Sequence, residues 1–127
     1  MKVLENLRYS KDHEWVRIEG TQAVVGITDY AQHELGDVVF IELPPVGKKI
    51  KAHTTLTTIE SVKAVSDIFA PLSGTIMKVN EQLNDNPELV NQQPYEAGWI
   101  FAVELENPAE VTQLLDAAQY SELLGGK

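Results

Sequence analysis

Cysteine is absent from the 127 residues. Its absence removes disulfides, thiolate nucleophiles, cysteine zinc sites and iron–sulfur clusters together. Basic residues are scarce: 10 Lys and Arg stand against 19 Asp and Glu, a formal net charge of −9. Such a surface repels phosphate backbones, so no nucleic-acid partner is expected. It suits solubility, or steering towards proteins that carry basic patches. No apolar run approaches the length that spans a bilayer, and no membrane partner is expected. The opening "MKVLENLRYSKDHEW" has no signal-type apolar stretch and is not rich in Arg or Ser, so a cytoplasmic protein is expected. The three histidines, His13, His33 and His53, form no H-x-x-x-H or H-E-x-x-H pair. There is no Gly-rich phosphate loop, dinucleotide fingerprint or G-x-S-x-G elbow. Neither a metal site nor catalysis by this chain alone is expected.

What is present is a β-rich pattern. Hydrophobic residues make up 43% and charged residues 23%, enough apolar content and length for one domain over 1–127. "HEWVRIEG" and "QAVVGI" read as a hairpin turning at Gly20. "DYAQHELG" reads as a short helix near 29–35, with Asp29 as cap, Gln32 at N3 and Gly36 as its stop. His33 is expected to face solvent from it. "DVVFIEL" is a β run ended by "PPVG"; "KKIKAHTTLTTIE", "AVSDIFAPLSG" and "TIMKV" continue as strands. Residues 80–98 are rich in turn formers. In "WIFAVEL", Trp99, Phe101, Val103 and Leu105 alternate with Ile100, Ala102 and Glu104. Trp15, Trp99, Phe40 and Phe101 are expected in the core. Asn107 as N-cap, Pro108 at N1, Glu110 in a capping box and the face Val111, Leu114, Leu115, Ala118 predict a C-terminal helix over about 108–119. The pattern is mostly β, a sandwich or barrel with helical trim.

One lysine stands out. "TTIESVKAVSDIFAPLSGTI", residues 57–76, places Lys63 between Val62 and Ala64 in one of the most β-prone stretches of the chain. Strands can be drawn on both sides, which makes "SVKA" a hairpin tip within about 55–71. Most strand lysines simply point outwards with an apolar stem and a solvated head. A lysine at a tip has more to offer: its base is fixed by two ladders while its own chain stays mobile. A modifying enzyme needs such an acceptor, and a swinging group needs such a mount. Glu14 and Asp67 are carboxylates that could serve a site, although solvation at the surface would equally account for them.

"ESVKAVSDIFAPLSGTI" resembles the lipoyl-attachment segment of the glycine cleavage system H proteins. "YSKDHEWV", "VGITDYAQHELGDVVFIELPPVG" and "NPELVNQQPYEAGWIF" resemble that family's other characteristic segments, in the same order. The likeness runs from about residue 7 to the C-terminal helix. Biotin carriers typically have Met on both sides of the lysine, and lipoyl domains of 2-oxo acid dehydrogenases lack the "HEW" and "PYEAGW" segments.

The resemblance implies a barrel-sandwich hybrid of two antiparallel sheets. It implies lipoate in amide linkage on Lys63, with Glu60, Ser61, Val62 and Ala64 forming the attachment hairpin. The chain would be a monomeric carrier without turnover of its own. It would take the aminomethyl group of glycine from a pyridoxal-phosphate glycine decarboxylase (P protein) to an aminomethyltransferase (T protein), and then meet a dihydrolipoyl dehydrogenase (L protein). A lipoate ligase or lipoyl/octanoyl transferase would load it. Glu14, and after it Asp67, would contact the loaded arm in a surface cleft. Asp67 lies four residues beyond Lys63, about 13 Å along an extended strand, so it would face a folded-back arm. Position 12 is Asp where some relatives have Ser or Glu, and position 30 is Tyr where His is common. A proton-handling role for that His is therefore not implied here. The alternative in the same family is a lipoyl donor or relay protein in lipoate metabolism, which the same Lys63 would serve.

Overall fold

Two stripes of apolar residues on one strand need two cores, and this requirement shapes the larger sheet. The computed structural model describes residues 2–125. Its strands are β1 (Arg8–Tyr9), β2 (Glu14–Glu19), β3 (Gln22–Ile27), β4 (Val38–Ile41), β5 (Lys49–Ile50), β6 (Thr55–Ser61), β7 (Val65–Phe69), β8 (Gly74–Val79) and β9 (Phe101–Leu105). Six of them form one antiparallel sheet in the order β1-β2-β3-β9-β8-β5, and three form a second, β4-β6-β7. This is the mostly-β, two-sheet architecture expected from the sequence. In the middle of the large sheet successive residues alternate between cores. Val16, Val25, Phe101 and Val103 point into the core shared with Ile41, Ile59 and Ile68 of the small sheet. Trp15, Val24 and Ala102 point the other way, into a second core with Tyr9, Tyr95 and Tyr120. The near-continuous apolar runs "AVVGI" and "FAV" follow from burial on both faces. Trp15 pairs with Gly26 on β3, and a Cβ at Gly26 would lie 2.7 Å from the indole. Glycine there is what lets the ring lie flat across the strand.

The helices depart from the sequence reading in instructive ways. Helix α1 (Asp29–Leu35) is capped by Thr28, whose hydroxyl accepts from the Ala31 N–H, and not by Asp29. Asp29 instead accepts from Lys2 N and from the Gln32 side chain. Gly36 does stop the helix, with φ +78°. Two short helices, α2 (Gln82–Asp85) and α3 (Leu89–Gln92), occupy the turn-rich segment. The helix expected over 108–119 is divided. A 3-10 helix runs Pro108–Gln113, the chain extends at Leu114, and α4 covers Ala117–Leu123. The break has a cause: Leu115 exchanges both backbone hydrogen bonds with Tyr9, each 2.8 Å, which an α-helix would forbid. Asp116 and Gln119 then open α4 with a reciprocal capping box. Glu110 makes no capping box; its carboxylate accepts from the Ser73 N–H and hydroxyl at 2.8 and 3.0 Å. Of the four aromatics expected in the core, Trp15 and Phe101 are fully buried and Trp99 is half-buried. Phe40 is 51% exposed, because a register shift between Val38 and Phe40 on β4 turns it outwards.

Candidate functional site

Strands β6 and β7 pair from Thr55↔Phe69 to Glu60↔Val65, and Lys63 lies in the link between them. The link closes through Ser61, whose N–H donates to Ala64 O at 2.8 Å. Its hydroxyl accepts from the Lys63 and Ala64 N–H groups at 3.3 and 3.1 Å. Neither Val62 nor Lys63 has positive φ, so the usual glycine-dependent hairpin turn is absent and the serine side chain supplies the missing closure. The tip is also held from outside. Val62 N donates to Asp37 O at 3.0 Å. Asn91 of α3 fixes that neighbouring segment, donating to Gly36 O and accepting from Val38 N, both at 2.8 Å. The Lys63 stem crosses Gly36: a Cβ on Gly36 would stand 3.4 Å from Lys63 Cε. Lys63 is exposed and makes no ion pair among the described residues.

Beside the tip lies a cleft of about 320 Å³ between α1, β7 and the turn that precedes β2. Its walls are apolar at Ile27, Ile59 and Ile68, while Asp12, Glu14, Glu34 and Asp67 supply carboxylates and Tyr30 an aromatic ring. The structure therefore brings Glu14 and Asp67 to one cavity, together with Ala64. Glu60, Ser61 and Val62 do not line it; Glu60 is exposed between Phe40 and Val65 on the sheet, and Val62 is 69% exposed.

The two carboxylates differ. Asp67 is exposed, and its carboxylate makes no hydrogen bond among the described residues. Glu14 is only 2% exposed, so the reading of it as a solvated surface carboxylate does not hold. Its Oε1 accepts from the Ser10 hydroxyl at 2.6 Å, and its Oε2 from the Phe69 N–H at 3.2 Å. Burial pushes the carboxyl up to about 7, against the lowering effect of those two hydrogen bonds, with Asp12 adding a smaller upward push. Ser10 is the hub of this corner, for its hydroxyl also accepts from the Asp12 and Glu14 N–H groups.

His13, next to Glu14, is held at φ +68° by hydrogen bonds from its N–H to Ser10 O and from Thr28 N–H to its carbonyl. Its ring lines the cleft and sits 4.7 Å from the Tyr30 ring. Nδ1 lies 2.8 Å from the Tyr120 hydroxyl, which lies 2.7 Å from the Thr28 hydroxyl. Burial lowers the His13 imidazole, opposed by Asp12 and Glu34. Sequence reasoning missed His13, Ser10, Asn91 and Tyr120 as site residues. Ser10 acts on Glu14, only four residues away, whereas His13, Asn91 and Tyr120 act through partners remote in the chain, which no local spacing marks.

A family model described as glycine cleavage H-protein matches residues 7–126. The chain is 54% identical over 124 residues to a protein of Geobacillus thermodenitrificans named glycine cleavage system H protein, with 98% of each chain covered. It is 53% identical over 127 residues to a protein of the same name from Chlorobium limicola, covering 98% of this chain and 99% of the other. The crystal structure of a glycine cleavage system H protein from Mycobacterium marinum superposes with a TM-score of 0.89 at 38% identity, over 97% of this chain and 99% of that one. Among the described residues, no helix is long and apolar enough to cross a membrane.

Proposed function

The chain belongs to the glycine cleavage H-protein family, and from that premise we propose that it is the lipoyl-lysine carrier of a glycine cleavage system, with Lys63 as the attachment point. The observation that carries the reading is the placement of Lys63, exposed at the tip of a doubly braced hairpin beside a cleft that mixes apolar walls and carboxylates. The residues fit the group. Among the described residues the Lys63 amine has no ion partner to lose on acylation, and Gly36 leaves room for its stem. The apolar walls suit an aliphatic arm and a sulfur ring, and the carboxylates suit a cationic cargo.

Lys63 would hold lipoate as an amide, and the group would supply a redox-active disulfide for the aminomethyl group of glycine to be carried between the decarboxylase, the aminomethyltransferase and the dihydrolipoyl dehydrogenase. The chain's own part is not catalysis but mounting and sheltering. Ser61, Asp37 and Asn91 fix the base of the arm. Ile27, Ile59 and Ile68 exclude water from its folded-back end, which protects a labile cargo from hydrolysis. Glu14 and Asp67 hold a cationic amine. The carrier works as a cytoplasmic monomer, loaded by a lipoate ligase or lipoyl/octanoyl transferase.

Intact mass after expression with lipoate and a ligase tests this. One lipoyl increment is expected on the wild type and none on Lys63→Arg, which keeps charge and stem length but cannot be acylated. A wild-type chain that never gains the increment, or an increment retained by Lys63→Arg, overturns the assignment. A relay role in lipoate metabolism uses the same lysine, and is separated by whether deleting the gene abolishes glycine oxidation or instead strips lipoate from other enzymes.

A further inference from the structure

The hydrogen-bond chain Thr28–Tyr120–His13 has a direction that its own members determine. Thr28 is fully buried. Its hydroxyl oxygen already accepts from the Ala31 N–H at 3.2 Å as the cap of α1, so its single proton must find an acceptor. The Tyr120 hydroxyl, 2.7 Å away, is the acceptor present among the described residues. Tyr120 is itself fully buried and must then donate onward, and His13 Nδ1 lies 2.8 Å from its oxygen. With Nδ1 an acceptor, a neutral His13 carries its proton on Nε2. The reverse direction would leave the Thr28 proton unpaired in a dry site. Nε2 has no protein partner among the described residues, and the ring lines the cleft.

We propose that His13 is a fixed hydrogen-bond donor of the cleft. Its tautomer is set by Tyr120 of helix α4 together with Thr28, the cap of α1, and its Nε2–H takes a carbonyl oxygen or sulfur of the docked arm. Only the identity of that acceptor rests on the carrier reading. The arrangement divides the work within one cavity: Glu14 and Asp67 take a cation, and the neutral imidazole takes an acceptor without adding a competing positive charge. Tyr120 is a positioning residue, since it reaches the cleft only through His13. The other groups facing the ring are Asp12 and Glu34, which favour its protonation, and the Tyr30 ring packed beside it. Protonation would put a donor on Nδ1 against the Tyr120 donor, so the chain itself opposes it.

Long-range 1H–15N spectra of the full chain labelled at histidine read the tautomer directly, with the His13 signals assigned by their loss in His13→Gln. On the unmodified wild type, the Nε2–H form is expected at pH 8. Tyr120→Phe keeps the ring stacked on Tyr9 at 4.5 Å and removes only the hydroxyl. It is expected to give a mixture of tautomers and to move the His13 titration midpoint upwards. Thr28→Ser, which retains cap and proton, is expected to behave as the wild type. An Nδ1–H tautomer in the wild type overturns the proposal whether or not any variant folds, and so does a folded Tyr120→Phe with an unchanged His13 pattern. On chain whose lipoylation is verified by mass, the Nε2 signals should shift relative to unmodified chain. If they coincide, the donor role towards the arm is wrong while the carrier assignment stands.

Discussion

Replacing Glu14 by Gln should change how the stability of this protein depends on pH, and the size of the change follows from the buried carboxyl. Glu14 is 2% exposed, and burial raises its pKa from an ordinary 4.5 to about 7. The folded state therefore binds this proton more tightly than the unfolded chain does. The group's contribution is fully present below 4.5 and is lost as pH rises to 7. Linkage gives a loss of about 1.4 kcal/mol by pH 5.5 and about 3 kcal/mol by pH 8. Gln has nearly the same shape and no charge to desolvate. Because the Ser10 hydroxyl already accepts from two N–H groups, Gln cannot replace both contacts of the carboxyl, so the two proteins should differ at pH 4.5 by an offset of about 1–2 kcal/mol that does not vary with pH. Urea unfolding at half-unit pH steps from 4.5 to 8, with equal m-values verified, measures the difference between them. The other carboxylates titrate alike in both and cancel. The variant should gain on the wild type by about 3 kcal/mol across this range. A difference that stays flat within about 0.5 kcal/mol would refute the raised value.

The same carboxyl should govern the loaded arm. A cationic cargo is held better once Glu14 is ionised, so its lifetime on Lys63 should lengthen as pH rises from 6 to 8, and this dependence should vanish in Glu14→Gln; ammonia release from the loaded carrier is the readout. Gly74 should tolerate no side chain, because a Cβ there would lie 2.0 Å from the Glu104 carbonyl oxygen. Gly74→Ala is expected to cost about 3 kcal/mol or more of overpacking and backbone shift, seen as a lower urea midpoint.

Lys63 was legible because the hairpin that presents it is local; the outside braces from Asp37 and Asn91 were not. Two β-prone stretches and a three-residue link suffice to make a tip, and Ser61, two residues before Lys63, closes it. The cleft was not legible from spacing, because it joins residues 12–14, 27–35 and 59–68 through sheet topology. Glu14 shows the limit well. The pattern "HEWVRIE" says that Glu14 and Trp15 face opposite ways, but both faces of β2 are covered here, so alternation carries no information about which is wet. Its partner Phe69 is 55 residues away and Tyr120 is 107 residues from His13. The C-terminal helix failed for a related reason. Apolar spacing from Val111 to Ala118 fits a helix, but Leu115 is claimed by Tyr9, a contact that periodicity cannot see. The Asp116–Gln119 capping box was there to be read, and it marks where the real helix starts.

On the proposed function, discrimination between loaded and empty arms cannot come from shape. The walls at Ile27, Ile59 and Ile68 receive an aliphatic arm whether or not it bears an amine. It must come from the groups that respond to charge. Asp67 is exposed, so its attraction for a cation is weakened by solvent and salt. Glu14 is dry, and near neutral pH it stands between its two protonation states. A cation arriving beside it favours the carboxylate, and by reciprocity loss of the proton favours the cation, each by the same free energy. Docking of a cationic arm is thus coupled to release of a proton from Glu14, whereas docking of an uncharged arm is not. An acidic residue buried at a cost in stability at neutral pH is difficult to explain by folding alone, since a neutral isostere would serve the fold better. A cleft that must recognise when its cargo carries a positive charge gives that cost a reason.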